Sequence, residues 1–368
     1  MAALNTSVHA SQFSSRGASF SRFTELAFEK AAVVDIAQNL LDRRPLSFLQ
    51  VEHLVNNVEP PVLAKLVEIV HSVTDVSGVR LRPLIFVPLA KILEQHGKDK
   101  ALDIALLRIN SVARGLSVNL SSVFLAIDRW HGNFERDELL EVIYAALSQS
   151  ALAEILTCVG PSTSQLLKLE GNVSGEEDRL SRLDIILANL RMVGIGSIEG
   201  GSDIEIHLLA AARGFSLSFG QEVRRLASMR SLGRGQDKAG KQAGFDNSFA
   251  DCLLAISDKL AFTGKLNTWY PWAKNCVDSF CLDGGCVLGV QLLRAVALGR
   301  LLLPNISHVR APLSLFGVKM AHVALSFGAN DFGYAALDAE TADLLGISRM
   351  SDCVDVINAQ KVYKLLIG

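Results

Sequence analysis

Apolar and polar positions follow two different rhythms along this chain, and the change falls near residue 100. Before it, apolar residues recur at helical spacing. Residues 22–45 read as one amphipathic helix, with Phe23, Leu26, Ala27, Ala31, Val34 and Ile36 near that spacing. A second helix follows Pro60-Pro61, with Leu63, Leu66, Val67 and Val70 on one face. Pro83 and Pro88 then break up a short apolar stretch. The expectation is a helical region over 19–100, packed onto a main domain over 101–368.

Beyond residue 100, short apolar runs alternate with longer amphipathic segments. The runs are 103–109, 122–127, 152–159, 193–198, 214–219, 265–272 and 306–311. Between them lie helix-like stretches at 135–148, 176–192, 248–261, 284–303, 314–326 and 339–346. The second of these is opened by Ser174 with Glu177 three residues on, a capping-box pattern. Strand–helix alternation of this kind predicts a parallel sheet covered by helices. A closed barrel and a doubly wound sheet both satisfy it.

Composition narrows the class only a little. The chain has 368 residues, 49% hydrophobic and 20% charged, enough for one large core or two smaller ones. One α/β barrel of ~250 residues plus an N-terminal extension fits that length. The net charge of -2 gives no basic field for nucleic acid. Six cysteines (158, 252, 276, 281, 286 and 353) are too few and too scattered for a disulfide framework. Residues 1–18 are Ser-rich without an apolar core, read as a disordered tail with a transit peptide as the rival. The apolar run near Ala295–Leu303 is too short to span a bilayer, so the expected location is the cytoplasm, with no membrane partner. Residues 223–245 carry six Arg and Lys against Asp237 alone, a basic loop either solvated or closing over an anion.

The stretch LLLPNISHVRAPLSLFGVKMAHVALSFGANDFG (301–333) resembles the radical-SAM enzymes of the futalosine route to menaquinone. These are dehypoxanthine futalosine cyclase and aminofutalosine synthase, with the related deazaflavin-cofactor synthases. SIEGGSDIEI (197–206), NTWYPW (267–272) and AEILTCVGPS (153–162) agree in order with further segments of that family. The resemblance implies an α/β fold of the TIM-type (β/α) barrel, radical-SAM kind, with a helical N-terminal extension. It also implies two cofactors, a [4Fe–4S] cluster and S-adenosylmethionine (SAM).

The residues that should hold those cofactors are missing. The family's loop after the first barrel strand carries C-x3-C-x2-C, whose three thiolates bind the cluster. The matching place here puts Ser117, Ser121 and Phe124 at those positions, and no cysteine precedes Cys158. The family's segment after the fifth strand is replaced by residues 219–224, and Val159-Gly160 stands where relatives carry Gly-Gly. Neither cofactor is therefore expected. Cys276, Cys281 and Cys286 form a C-x4-C-x4-C trio whose spacing matches neither common zinc nor ferredoxin patterns.

Candidate ligand-binding residues follow from the same resemblance. Gly200 and Gly201 permit close backbone approach. Glu205 matches an acidic family residue, with Asp203 its rival. Tyr270 and Trp272 can stack on a purine or simply fill the core. His308 and Arg310 share one alternating face and can point into the barrel, although a core histidine is the common alternative. Asn330 and Asp331 can hydrogen-bond a nucleoside or serve as turn residues.

The function this implies is a degenerate radical-SAM-like barrel protein of menaquinone synthesis. It would bind a nucleoside-like molecule or partner an active radical-SAM homologue. Two alternatives stand beside it. One is an active pathway enzyme with its cluster on the cysteine trio. The other is a non-radical enzyme acting on a purine nucleoside.

Overall fold

The computed structural model describes residues 21–74, 78–115, 120, 122–128, 138–169, 176–201, 203–222, 248–260, 263–272 and 289–353. The 1–18 tail, the 223–245 loop, Ser117, Ser121, Cys276, Cys281 and Cys286 lie outside them.

Eight strands occur among the described residues. They are β1 Arg80–Val87, β2 Val123–Ile127, β3 Leu156–Cys158, β4 Ser197–Glu199, β5 Ser216–Glu222, β6 Leu266–Trp272, β7 His308–Val309 and β8 Asp331–Ala336. Every strand pairing is parallel. They form two four-stranded sheets, ordered β3-β2-β1-β8 and β4-β5-β6-β7. Helices lie between successive strands, as parallel pairing requires of its crossovers. The fold is thus a mixed α/β one with parallel sheets.

Backbone hydrogen bonds cross both junctions between the sheets. Ala311 N–H donates to the Asp331 carbonyl at 2.7 Å, and Asn330 N–H to that of Val309 at 3.0 Å. On the other side, Glu199 N–H donates to the Pro161 carbonyl at 3.2 Å and Thr163 N–H to that of Gly200 at 3.3 Å. Only glycine fits at position 160 there, since a Cβ would lie 1.8 Å from the Ser197 carbonyl oxygen.

Several sequence expectations need correction. Residues 103–109 are not a strand but part of the helix Lys98–Gly115, which buries Ala101, Ala105, Ile109 and Val112 at three- and four-residue steps. The first strand instead lies at Arg80–Val87, inside the segment read as helical. Its Pro83 adjoins a register irregularity between Arg80 and Arg82, where a missing N–H is tolerated. The predicted helix over 22–45 is two, Arg22–Lys30 and Val34–Leu41, parted where Ala32 takes a positive φ of 54°. A further helix, Phe48–Asn56, opens on a capping box between Ser47 and Gln50. Asp331 is not a turn residue, because β8 begins there.

The helices Pro60–Val73 and Gly289–Leu302 pack together and join the N-terminal region to the second sheet. Trp269 of β6 is fully buried under that second helix. At Gly299 a Cβ would sit 2.2 Å from the indole, so glycine admits the ring. Its Nε1–H donates to Gln221 Oε1 at 3.2 Å, which satisfies the one polar atom of the ring.

Candidate functional site

Strand alternation turns charged residues inward between the two sheets. On β1, Arg82 and Leu84 share one face, two residues apart. On β6, Thr268 and Tyr270 face the same space while Trp269 faces the helices. Strand β8 manages to send two residues inward that are three apart. Its register against β1 gains one residue, pairing Arg80 with Asp331 and Arg82 with Tyr334. Gly333, at φ +77°, supplies that bulge, so both Asp331 and Tyr334 face the centre.

Asp331 is the hub of the arrangement and has no exposed surface. Its Oδ2 accepts from Arg82 Nη2 at 2.9 Å and from Arg310 Nε at 3.3 Å. Its Oδ1 accepts from Gly333 N–H at 2.6 Å. Arg82 also donates to Thr268 Oγ1 at 3.4 Å, and Arg310 to Ser218 Oγ at 3.5 Å. The two guanidinium groups bracket the Tyr334 ring, 5.2 and 5.5 Å from its centroid. Arg310 also lies 5.1 Å from the Tyr270 centroid.

Glu199, the last residue of β4, reaches the same centre. Its Oε2 is 3.5 Å from Arg310 Nη1 and 3.9 Å from Arg82 Nη1, without a hydrogen bond to either. Burial pushes its carboxyl above the usual range, against the pull of Arg82. Burial also raises the Tyr270 and Tyr334 hydroxyls, so both remain protonated. Burial is the largest influence on Arg82 and opposes its charge, but Asp331, Tyr334 and Glu199 together outweigh it and the pKa rises.

A cavity of about 380 Å³ opens onto this cluster at the C-terminal ends of β4, β6 and β7. Its walls include Glu199, Tyr270, Arg310 and Tyr334, together with Leu84 and Leu313. Parallel α/β folds place their ligand sites at this edge, where loops leave the strands.

The candidate residues are distributed unevenly about this cavity. Tyr270 and Asp331 belong to the central cluster. Gly200 and Gly201 follow Glu199 at φ +81° and +87°. A Cβ on Gly200 would be 2.2 Å from Tyr270 Oη, so this glycine sets how closely the tyrosine approaches. Trp272 shares the inward face with Tyr270, two residues nearer the strand end. His308 pairs with Thr268, and burial lowers its pKa to about 4. Asn330 is engaged otherwise. It accepts from Arg300 Nη2 at 2.8 Å and Val309 N–H at 2.9 Å, and donates to the Ser307 carbonyl at 2.9 Å. It fastens β7 to β8. Glu205 is exposed on the helix Ile204–Ala212, and Asp203 caps that helix by accepting from Ile206 N–H.

Sequence reasoning missed Arg82, Glu199 and Tyr334. Arg80 and Arg82, alternating ahead of LIFV, were the available signal for a strand with a polar inner face.

Phe124 is also corrected. It is a strand residue of β2, paired with Leu84 and edge-on to Tyr334 at 5.6 Å, and does not belong to a loop after the first strand. After β1 the chain passes through Pro88 into the helix Leu89–His96. The N-terminus of that helix is capped by Asp128, whose carboxylate accepts from the N–H groups of Ala90 and Lys91 at 2.9 and 3.0 Å. An iron–sulfur cluster needs soft thiolate donors. None occurs in this segment. Cys158 of β3 is buried and its thiol is pushed up to about 12, while that of Cys252 is pushed up to about 11. The described residues therefore do not fit such a cluster. Nor do any three His, Cys, Asp or Glu among them gather as a metal site.

No protein-family profile matches the chain, and no curated protein matches it. Solved structures do. Methylornithine synthase (PylB) aligns over 89% of this chain and 96% of its own, with a TM-score of 0.56 and 11% identity. The FeFe-hydrogenase maturase HydG from Carboxydothermus hydrogenoformans aligns over 93% and 82%, with a TM-score of 0.55 and 11% identity. Another HydG structure gives 89% and 74%, with a TM-score of 0.54 and 11% identity. No helix among the described residues is long and apolar enough to cross a membrane. At this identity the likeness is one of fold: the mixed α/β fold of this chain, with its parallel sheets, resembles that of these radical-SAM enzymes.

Proposed function

We propose that the eight strands form a ring of the radical-SAM barrel kind, and that the protein binds a nucleoside-type molecule at its C-terminal mouth. It does so without a [4Fe–4S] cluster and without reductive cleavage of SAM. The observation that carries this is the segment after β1. A capped helix starts there directly, and no cysteine precedes Cys158 in the chain. The sequence likeness over 301–333 supports a place beside the futalosine-type enzymes of menaquinone synthesis. In that setting the protein acts as a binding protein or as the partner of an active homologue.

Iron and sulfide analysis after anaerobic reconstitution tests the proposal. The expected result is no stoichiometric iron or sulfide. A four-iron cluster would overturn it, whichever cysteines held the metal. Equilibrium dialysis with inosine tests the binding half, and no binding at millimolar concentration would count against a nucleoside ligand.

A further inference from the structure

The cavity has a mixed lining. Arg310, Glu199, Tyr270 and Tyr334 line it together with Leu84, Leu313 and Ile347. The two carboxylates of the cluster differ, Glu199 lining the cavity and Asp331 lying behind it with no exposed surface. Asp331 accepts three hydrogen bonds, from Arg82, Arg310 and Gly333. Glu199 Oε2 is buried and accepts none, although two guanidinium groups lie within 4 Å. Nε and Nη1 of Arg82 and the hydroxyl of Tyr334 are buried and unmatched as well. Buried polar atoms left unmatched are costly, and those of Glu199 and Tyr334 belong to residues that line the cavity, which marks where a polar ligand group is received.

We propose that this cavity takes an apolar-bodied carboxylate whose head is received by Arg310, and that its arrival is coupled to uptake of one proton by Glu199. This rests on reading the C-terminal mouth as the binding site. The argument is one of charge. Glu199 Oε2 already lies 3.5 Å from Arg310 Nη1, so a ligand carboxylate received by that guanidinium stands beside a second carboxylate, and protonating Glu199 from the solvent relieves the repulsion. The protonated carboxyl then becomes a donor toward the ligand. Burial already favours that protonated form. The charged and titratable groups acting on Glu199 are Arg80 and Arg82 from β1, Asp331 and Tyr334 from β8, Tyr270 from β6 and Arg310 beyond β7. The tyrosines are held protonated by burial, and Asp331 is tied by three donors. Glu199 is the group left to titrate.

Isothermal titration with 3-phenylpropanoate and its neutral amide, in two buffers of different ionisation enthalpy, tests this. The carboxylate should bind at least about tenfold tighter than the amide, and close to one proton should be taken up per ligand. Affinity should fall as pH rises, approaching about tenfold per pH unit in the limit of one proton. Glu199→Gln, which mimics the protonated acid, should lose both the proton uptake and the pH dependence. Arg310→Lys should weaken the carboxylate and not the amide. Equal binding of carboxylate and amide, no proton uptake by the wild type, an unchanged pH slope in Glu199→Gln, or no binding of either compound would each overturn the proposal. Inosine titrated into the same preparation separates the two readings. If inosine binds and the carboxylate does not, this inference falls while the proposed function stands.

Discussion

Arg82 Nη2 donates to Asp331 Oδ2 at 2.9 Å, with the arginine side chain 3% exposed and the aspartate fully enclosed. The two residues come from neighbouring strands, β1 and β8, and Arg310 joins them from the other sheet. A buried pair of this kind is weak support for stability, because desolvation offsets most of the attraction. Breaking it is another matter. Asp331→Ala leaves two buried guanidinium groups without their shared carboxylate. It should cost about 3–5 kcal/mol in urea unfolding. Asp331→Asn preserves size and some hydrogen bonding, and should cost less. A loss for Asp331→Ala below about 1 kcal/mol would mean that the pair behaves like an exposed one.

Gly200 and Tyr270 should be coupled energetically. Alanine at 200 brings strain from its positive φ and a Cβ 2.2 Å from the Tyr270 hydroxyl. Phenylalanine at 270 removes that hydroxyl and half of the problem. The cost of Gly200→Ala should therefore be smaller in a Tyr270→Phe background, with a coupling of about 0.5–3 kcal/mol in a double-mutant cycle. Additive effects would mean that the glycine is required for its backbone alone.

Trp269 and Gly299 make the same argument in the helix layer. Gly299→Ala places a methyl 2.2 Å from the indole, in a region with no exposed surface at Trp269. Overpacking of this kind should cost about 1–3 kcal/mol and red-shift the tryptophan emission as the ring is displaced. An unchanged thermal midpoint would show that the helix moves aside freely.

The second half of the fold was legible because its strands are apolar runs between amphipathic helices. Residues 265–272 and 214–219 fall on β6 and β5 for that reason. The first strand was hidden because its pattern is inverted. Arg80 and Arg82 face the polar centre, and Pro83 reads as a breaker unless its register irregularity is known. Residues 103–109 misled because Ala105 and Ile109 serve a helix face as well as they would a strand. At the site, Tyr270 and Asp331 could be picked out from their segments. Glu199 and Arg82 could not, because each gains its chemistry from partners on other strands. Arg82 meets Asp331 across 249 positions of sequence.

Two half-buried histidines should make stability depend on pH. His71, on the helix Pro60–Val73, has Nε2 buried without a hydrogen-bond partner, and burial and then Arg300 lower its pKa to about 4. His308 is lowered to about 4 as well, chiefly by burial, and its Nδ1 is likewise unmatched. In the unfolded chain both titrate near 6.5. The unfolded state therefore binds more protons than the folded one between pH 6.5 and 4. Their contribution is complete above pH 6.5 and is lost as pH falls toward 4, with a slope for His71 below about 1.4 kcal/mol per pH unit. Carboxylates titrate in part of this window, so the informative comparison is between wild type and His71→Gln. Urea midpoints measured from pH 7.5 to 4 should fall less steeply for the variant. Parallel curves would mean that His71 is protonated in the folded state, paired with a group that offsets Arg300.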